Sequence, residues 1–198
     1  MGIITLLTDF GTVDSYVAEV KAVILSRAPE VTLVDISHDV PPGDIRAAQY
    51  LLSRAWKRFP VGTIHLAIVD PAGRDVFAPV VAALASGNRL DQVGESIKQP
   101  HRSPLPTARS QGDGVIGEVL YVDRFGTLVS NIPPEMVEPG VRIRVAGTEV
   151  GPLRRTFGDA ARGALVAFTG SGGTVEIAVR DGSAARLLGV GVGAEVRA

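Results

Sequence analysis

Ile64-His65-Leu66-Ala67-Ile68-Val69-Asp70-Pro71-Ala72-Gly73-Arg74-Asp75 is the stretch that decides how the chain is read. Ile64 to Val69 is a short apolar run rich in β-branched residues, a pattern that predicts a strand covered on both faces. An acid and a proline end it, and Pro71 has no N–H with which to extend a ladder. Open parallel sheets gather ligands at the carboxyl ends of their strands, so Asp70 is a candidate site residue. A plain turn aspartate before proline fits the same letters.

Upstream, Gly2 to Leu7 predicts a first strand and Thr8-Asp9-Phe10-Gly11 a loop. Tyr16, Val17, Val20, Val23 and Ile24 then recur at helical spacing behind a cap at Asp14. Val31 to Ile36 predicts a second strand leading into Ser37-His38-Asp39. Pro41-Pro42-Gly43 forces a turn, and Asp44 caps a second helix with Ile45, Ala48, Leu52, Ala55 and Trp56 as its buried stripe. The β-α-β-α-β order implies a parallel sheet with right-handed crossovers. It places Asp9, Asp35 and Asp70 at strand ends, with His38 beside them. The Thr8–Asp14 loop holds a single glycine and matches neither a dinucleotide fingerprint nor a phosphate-cradling loop. A carboxylate there repels a pyrophosphate but accepts two hydrogen bonds from a ribose cis-diol, which favours a nucleoside-like ligand without a diphosphate.

Downstream, Asp75 to Gly87 predicts a helix with Pro79 in its first turn and Gly87 past its end. Lys98 to Gly114, with its prolines and glycines, has no period and reads as a linker. Short strands with glycine turns follow, over Val115–Val122, Thr127–Ile132, Val141–Val145 with a return strand after Ala146-Gly147, Leu165–Phe168 and Val175–Val179. The fold class is therefore an α/β N-terminal domain with a mainly parallel sheet over 1–98, a linker over 99–114, and an all-β, barrel-like C-terminal domain over 115–198. The Gly170-Ser171-Gly172-Gly173 turn either offers N–H groups to an anion such as a carboxylate or simply closes a hairpin.

Composition narrows the function classes. The chain has 198 residues, a net charge of −1 and no cysteine, which excludes disulfides, thiolate metal sites and a cysteine nucleophile. Neither the charge nor any aromatic-and-basic stripe points to nucleic acid or an anionic membrane surface. No basic leader precedes the first strand and no apolar run is long enough to span a bilayer, so the expectation is a cytoplasmic protein.

Taken together, several motifs strongly resemble one family. They are Thr8-Asp9-Phe10-Gly11, Asp35-Ile36-Ser37-His38, Phe59-Pro60-Val61-Gly62-Thr63, Val69-Asp70-Pro71, Gly73-Arg74-Asp75-Val76-Phe77-Ala78-Pro79, Val122-Asp123-Arg124-Phe125-Gly126 with Ser130-Asn131-Ile132, and Glu176-Ile177-Ala178-Val179 with Gly182-Ser183-Ala184-Ala185. The family is the S-adenosyl-L-methionine hydroxide adenosyltransferases, relatives of the fluorinase and chlorinase enzymes. The resemblance implies a homotrimer with active sites between the N-terminal domain of one subunit and the C-terminal domain of the next. It implies hydrolysis of S-adenosyl-L-methionine to adenosine and L-methionine by attack of water or hydroxide at ribose C5′, with no metal and no cofactor. Carried over, Asp9 binds the ribose hydroxyls, and Asp70 is the catalytic residue that orients the water. Asp123 faces the methionine ammonium, Phe125 packs on the adenine and Ser171 contacts the methionine carboxylate. Thr127 stands where the family has an asparagine reaching the adenine, and Asn131 matches the second asparagine of the motif.

The chain departs from the family after Pro71. The resemblance implies a glycine-rich loop with an arginine there, then a strand, and much later a histidine just before Gly-Arg-Asp. Here Pro71 and Ala72 run directly into Gly73-Arg74-Asp75. Either the protein carries a segment that this sequence leaves out, or the chain is shorter and its alternative role is a non-catalytic, trimeric binder of S-adenosylmethionine or adenosine. A strand end and a helix start meeting across about one residue would be awkward, which favours the first reading.

Overall fold

A computed structural model describes residues 2–69, 73–100 and 102–198, with backbone only for Gly73 and Arg74. The chain divides into two compact units, Met1–Ser103 and Pro104–Ala198.

The first unit is built on three parallel strands, β1 (Ile3–Thr8), β2 (Thr32–Ser37) and β3 (Ile64–Ile68), in the order β2-β1-β3. Between them run α1 (Tyr16–Arg27) and α2 (Ile45–Ala55). After β3 come a π-helical turn (Gly73–Phe77), α3 (Ala78–Ala85) and the single turn α4 (Leu90–Val93). Ile4, Leu6, Leu66 and Ile68 pack against Val20 and Ile24 of α1 and Ala78 and Ala82 of α3 to form the core. α2 packs on β1 and β2, the side to which Thr5 and Leu7 point by strand alternation. The chain thus leaves β1 for one neighbour, then crosses back over it to reach the other. That reversal makes the carboxyl ends of β1 and β3 a topological switch point, where such sheets hold their ligands.

Local expectations fare unevenly. Asp44 caps α2 as predicted, its side chain accepting from the Ala47 N–H at 2.9 Å. The buried face of α2 is Ala47, Ala48 and Tyr50, while Ile45 and Trp56 are exposed. Apolar residues flank both sides of this helix, so periodicity finds Ala48 and the half-buried Leu52 and Ala55 but also picks Ile45 and Trp56, which lie off the buried face. α1 begins after Ser15, whose hydroxyl bonds Glu19 at 2.7 Å, rather than at a cap on Asp14. β3 is covered on one face only: Leu66 and Ile68 are buried but Ala67 is exposed, because α2 does not extend over this edge of the sheet. Asp70, Pro71 and Ala72 lie outside the described residues. Four positions, Val69 to Ala72, separate the end of β3 from the turn at Gly73.

The second unit is a closed barrel of seven strands: β5 (Gly114–Val122), β6 (Leu128–Ser130), β7 (Arg142–Val145), β8 (Thr148–Arg154), β9 (Leu165–Thr169), β10 (Val175–Val179) and β11 (Glu195–Arg197). β11 closes it onto β5, and β4 (Arg109–Gln111) adds to the outside of β5 within the stretch expected to be linker. All pairings are antiparallel except β8 with β9. Val119, Leu128, Ile132, Ile143, Val175, Ile177 and Val196 fill the interior. The domain is not strictly all-β, because α5 (Ala184–Leu188) follows β10, capped by the Ser183 side chain and ended by Gly189 in the left-handed region.

Asn131 crosses over β5, its Oδ1 accepting from the Glu118 N–H at 2.9 Å and its amide donating to the Pro106 carbonyl at 3.1 Å. A Cβ on Gly117 would overlap Asn131 Oδ1 and the Ile132 side chain, so a glycine is required at that point. Gly117→Ala is expected to destabilise the chain by about 2 kcal/mol, from overpacking and the displaced amide bonds. Urea denaturation checks this; an unchanged midpoint would contradict it.

Candidate functional site

At the switch point, the strands deliver Asp9 to a fixed place. Its backbone N–H donates to the Ile68 carbonyl at 3.3 Å, tying the first residue after β1 to the last residue of β3. The Gly43 N–H donates to Asp9 Oδ2 at 2.9 Å, and Oδ1 has no hydrogen bond among the described residues. A half-buried carboxylate with one oxygen fixed and the other open is suited to accepting hydroxyl donors. Asp70, two residues after Ile68, belongs to the undescribed stretch.

A polar chain lies beneath this loop. Lys21 Nζ meets Asp35 Oδ2 at 2.6 Å, Asp35 Oδ1 lies 3.1 Å from His38 Nε2, and His38 Nδ1 is 2.9 Å from Thr8 Oγ1. The Nε2 contact is close but not aligned as a hydrogen bond. Partial burial raises the Asp35 pKa, yet hydrogen bonding from Lys21 and the proximity of His38 outweigh it and hold the carboxyl below its ordinary value. Asp35 sits within β2, committed to these partners, so it supports the strand end rather than serving as a third ligand-facing acid.

In the barrel unit, a groove of about 780 Å³ is lined by Asp123, Phe125, Thr127 and Ser171, with Phe157 and Phe168 among its walls. That volume falls within the range of small-molecule sites. One turn presents three of these residues. Asp123 Oδ1 accepts from the N–H groups of Phe125 (2.9 Å) and Thr127 (2.8 Å), and the Gly126 N–H returns to the Asp123 carbonyl at 2.9 Å. Gly126 has φ +82°, and a Cβ there would overlap the Ser183 hydroxyl. The Ala185 N–H at the start of α5 donates to the Gly126 carbonyl at 3.0 Å and fastens the turn to the barrel. The Phe125 ring is left exposed, with the Arg124 guanidinium 4.7 Å from its centroid. The Gly170–Gly173 turn closes the β9–β10 hairpin through a Gly173 N–H to Gly170 carbonyl bond of 3.0 Å, and Ser171 at its tip borders the groove.

The structure thus gathers Asp123, Phe125, Thr127 and Ser171 into one groove and sets Asp9 at the sheet edge of the other unit. Asn131 does not line the groove; it is buried, with both ends of its amide engaged. The sequence reading did not single out Phe157, whose ring lies 6.3 Å from that of Phe168. The available signal was Thr156-Phe157-Gly158-Asp159, a capping pattern that the structure realises as a short 3-10 turn with an exposed aromatic. Among the described residues no cluster of His, Asp and Glu has metal-site geometry, and no helix is long and apolar enough to cross a membrane.

A parallel-sheet unit with an acid at its switch point, followed by a seven-stranded barrel with an aromatic and acidic groove, defines a small-molecule enzyme architecture. The N-terminal domain of the SAM hydroxide adenosyltransferases matches residues 4–73, and their C-terminal domain matches residues 117–197. The chain belongs to this family. The (R)-S-adenosyl-L-methionine hydrolase of Thermus thermophilus is 34% identical over 252 aligned positions that cover 96% of this chain and 97% of that enzyme. A fluorinase of Nocardia brasiliensis is 30% identical over 146 residues, covering 69% of this chain and 48% of that enzyme. In three dimensions, an uncharacterized conserved protein from Thermotoga maritima superposes with a TM-score of 0.89 at 29% identity, covering 98% of both chains. The alignment to the Thermus hydrolase runs over more positions than the 198 of this chain, so that enzyme has residues without a counterpart here.

The depressed pKa of Asp35 has a consequence for stability. A carboxyl whose folded pKa lies below its unfolded value of about 3.8 contributes stability that is full above that value and is lost as pH falls through the folded pKa. Because the side chain is 42% exposed, solvent screening keeps the contribution to about 1 kcal/mol or less. The gap between thermal melts of Asp35→Asn and the unaltered chain should therefore be full at pH 7 and shrink as the pH falls below about 3.8. A gap that widens on acidification would contradict the assignment.

Proposed function

We propose that the protein hydrolyses S-adenosyl-L-methionine to adenosine and L-methionine. The observation that carries this reading is the similarity to a hydrolase of that substrate along nearly the whole of both chains. The placement of acids at the switch point and in the barrel groove supports it. A water oxygen forms a bond to ribose C5′ as the C5′–sulfur bond breaks, the electron pair passes to the methionine sulfur, and the water proton leaves to solvent. The sulfonium is already a good leaving group, so the protein's task is to hold nucleophile and carbon in line and to limit competing water. In this reading Asp9 accepts both ribose hydroxyls and Asp70 orients the attacking water. Asp123 pairs with the methionine ammonium, Phe125 covers the adenine, Thr127 bonds its edge and Ser171 meets the methionine carboxylate. Asn131 serves beneath the groove, fixing β5. The two half-sites are completed between neighbouring copies in a homotrimer, without metal or cofactor, in the cytoplasm.

A second reading has its own support. The family resemblance puts the residues that the Thermus hydrolase has and this chain lacks after Pro71, and their loss favours a protein that holds S-adenosylmethionine or adenosine without turnover. Incubation with S-adenosylmethionine in ¹⁸O-water separates the two. Hydrolysis gives adenosine carrying ¹⁸O at its 5′-hydroxyl, whereas calorimetric binding with no adenosine released supports the second reading and overturns the first. Asp9→Asn should raise KM about tenfold through the lost charge-assisted bonds, and Asp70→Asn should lower kcat about a hundredfold through misplaced water.

A further inference from the structure

Beside the Asp9 loop, His38 is buried just past the end of β2, where it meets the last residue of β1. Its side chain and backbone both act there. Nδ1 is 2.9 Å from Thr8 Oγ1, the residue immediately before Asp9. The His38 carbonyl accepts from the Gly11 N–H at 2.7 Å, two residues beyond Asp9. The Val40 N–H donates to the Thr8 carbonyl at 3.3 Å, and the Phe10 N–H points to Thr8 Oγ1 at 3.4 Å. The Asp9 loop is thus clasped on both flanks by the segment around His38, while the same connection supplies the Gly43 N–H that fixes Asp9 Oδ2.

Charge orders the clasp. Lys21 fixes Asp35, and an anionic Asp35 beside Nε2 favours the tautomer that keeps its proton on Nε2. Nδ1 is then the acceptor and the Thr8 hydroxyl the donor, which leaves a Thr8 lone pair for the Phe10 N–H. Every polar group in the chain from Lys21 to Phe10 is oriented one way.

We infer that His38 is a positioning residue for the ribose site: through Thr8 it holds the Asp9 carboxylate in the direction that accepts a vicinal diol. The inference rests on the reading of Asp9 as the ribose acceptor. Its consequence is specific, because a loosened Asp9 loop costs affinity for the diol and not for the rest of a nucleoside.

The test compares calorimetric affinities for adenosine and 2′,3′-dideoxyadenosine, which differ only in the two hydroxyls, with thermal melts to verify folding. The unaltered protein should prefer adenosine by about tenfold or more, the scale of hydrogen bonds to a charged acceptor. Thr8→Val and His38→Leu should each reduce that preference to about twofold or less while leaving dideoxyadenosine affinity unchanged, and Thr8→Ser, which retains the hydroxyl, should restore it. A preference that survives both Thr8→Val and His38→Leu overturns the inference, as does an equal loss on both ligands, which marks general damage to the fold. A preference that is absent from the unaltered protein, or that persists in Asp9→Asn, overturns the Asp9 reading itself and this inference with it.

Discussion

The 3.3 Å hydrogen bond from the Asp9 N–H to the Ile68 carbonyl is the constraint from which the N-terminal site follows. It extends the β1–β3 ladder one step beyond the sheet, so the first loop residue leaves with the direction of the strand and its carboxylate is delivered at the switch point. The strands themselves cannot wander. Ile4 and Leu6 on β1 and Leu66 and Ile68 on β3 are locked under α1 and α3, and slipping the register by one residue would expose that face. Rigid strands, a short loop and one acid with a single open oxygen together make a better-placed acceptor than a flexible loop could.

The barrel groove reaches the same end by different means. Here a five-residue turn between β5 and β6 is folded around its own aspartate. Asp123 spends Oδ1 on the N–H groups of Phe125 and Thr127, which sets the backbone that displays Phe125 outward. Gly126 permits the left-handed step and the close approach of Ser183, and α5 secures the turn through Ala185. One side chain therefore sets both the turn and a charge in the groove, and replacing Asp123 would disturb both.

Much of this was legible in the letters because the strongest signals are local. Apolar runs of β-branched residues located β1, β2, β3, β5 and β10, and Asp44 announced its helix through capping chemistry. What periodicity could not supply was direction: α2 carries apolar residues on more than one side, and only its seat against β1 and β2 selects Ala47, Ala48 and Tyr50 over Ile45 and Trp56. Short elements escaped for a related reason, since β4, β11 and α5 are held by neighbours rather than by pattern. In the site, a strand-end position suggested Asp9 and the resemblance to the family supplied Asp123 and Phe125, while Asn131 shows the limit of motif matching: its amide is consumed by the Glu118 N–H and the Pro106 carbonyl. The clasp of Lys21, Asp35, His38 and Thr8 spans three separate elements, and no spacing in one dimension announces it.

The account depends on a nucleoside being held by its sugar at the β1–β3 switch point. A crystal structure of the protein with adenosine tests this most directly. It should show both ribose hydroxyls within about 3.2 Å of the Asp9 carboxylate, the distance of a hydrogen bond. Clear density for adenosine with its ribose bound elsewhere, and Asp9 still bonded only to Gly43, would contradict it.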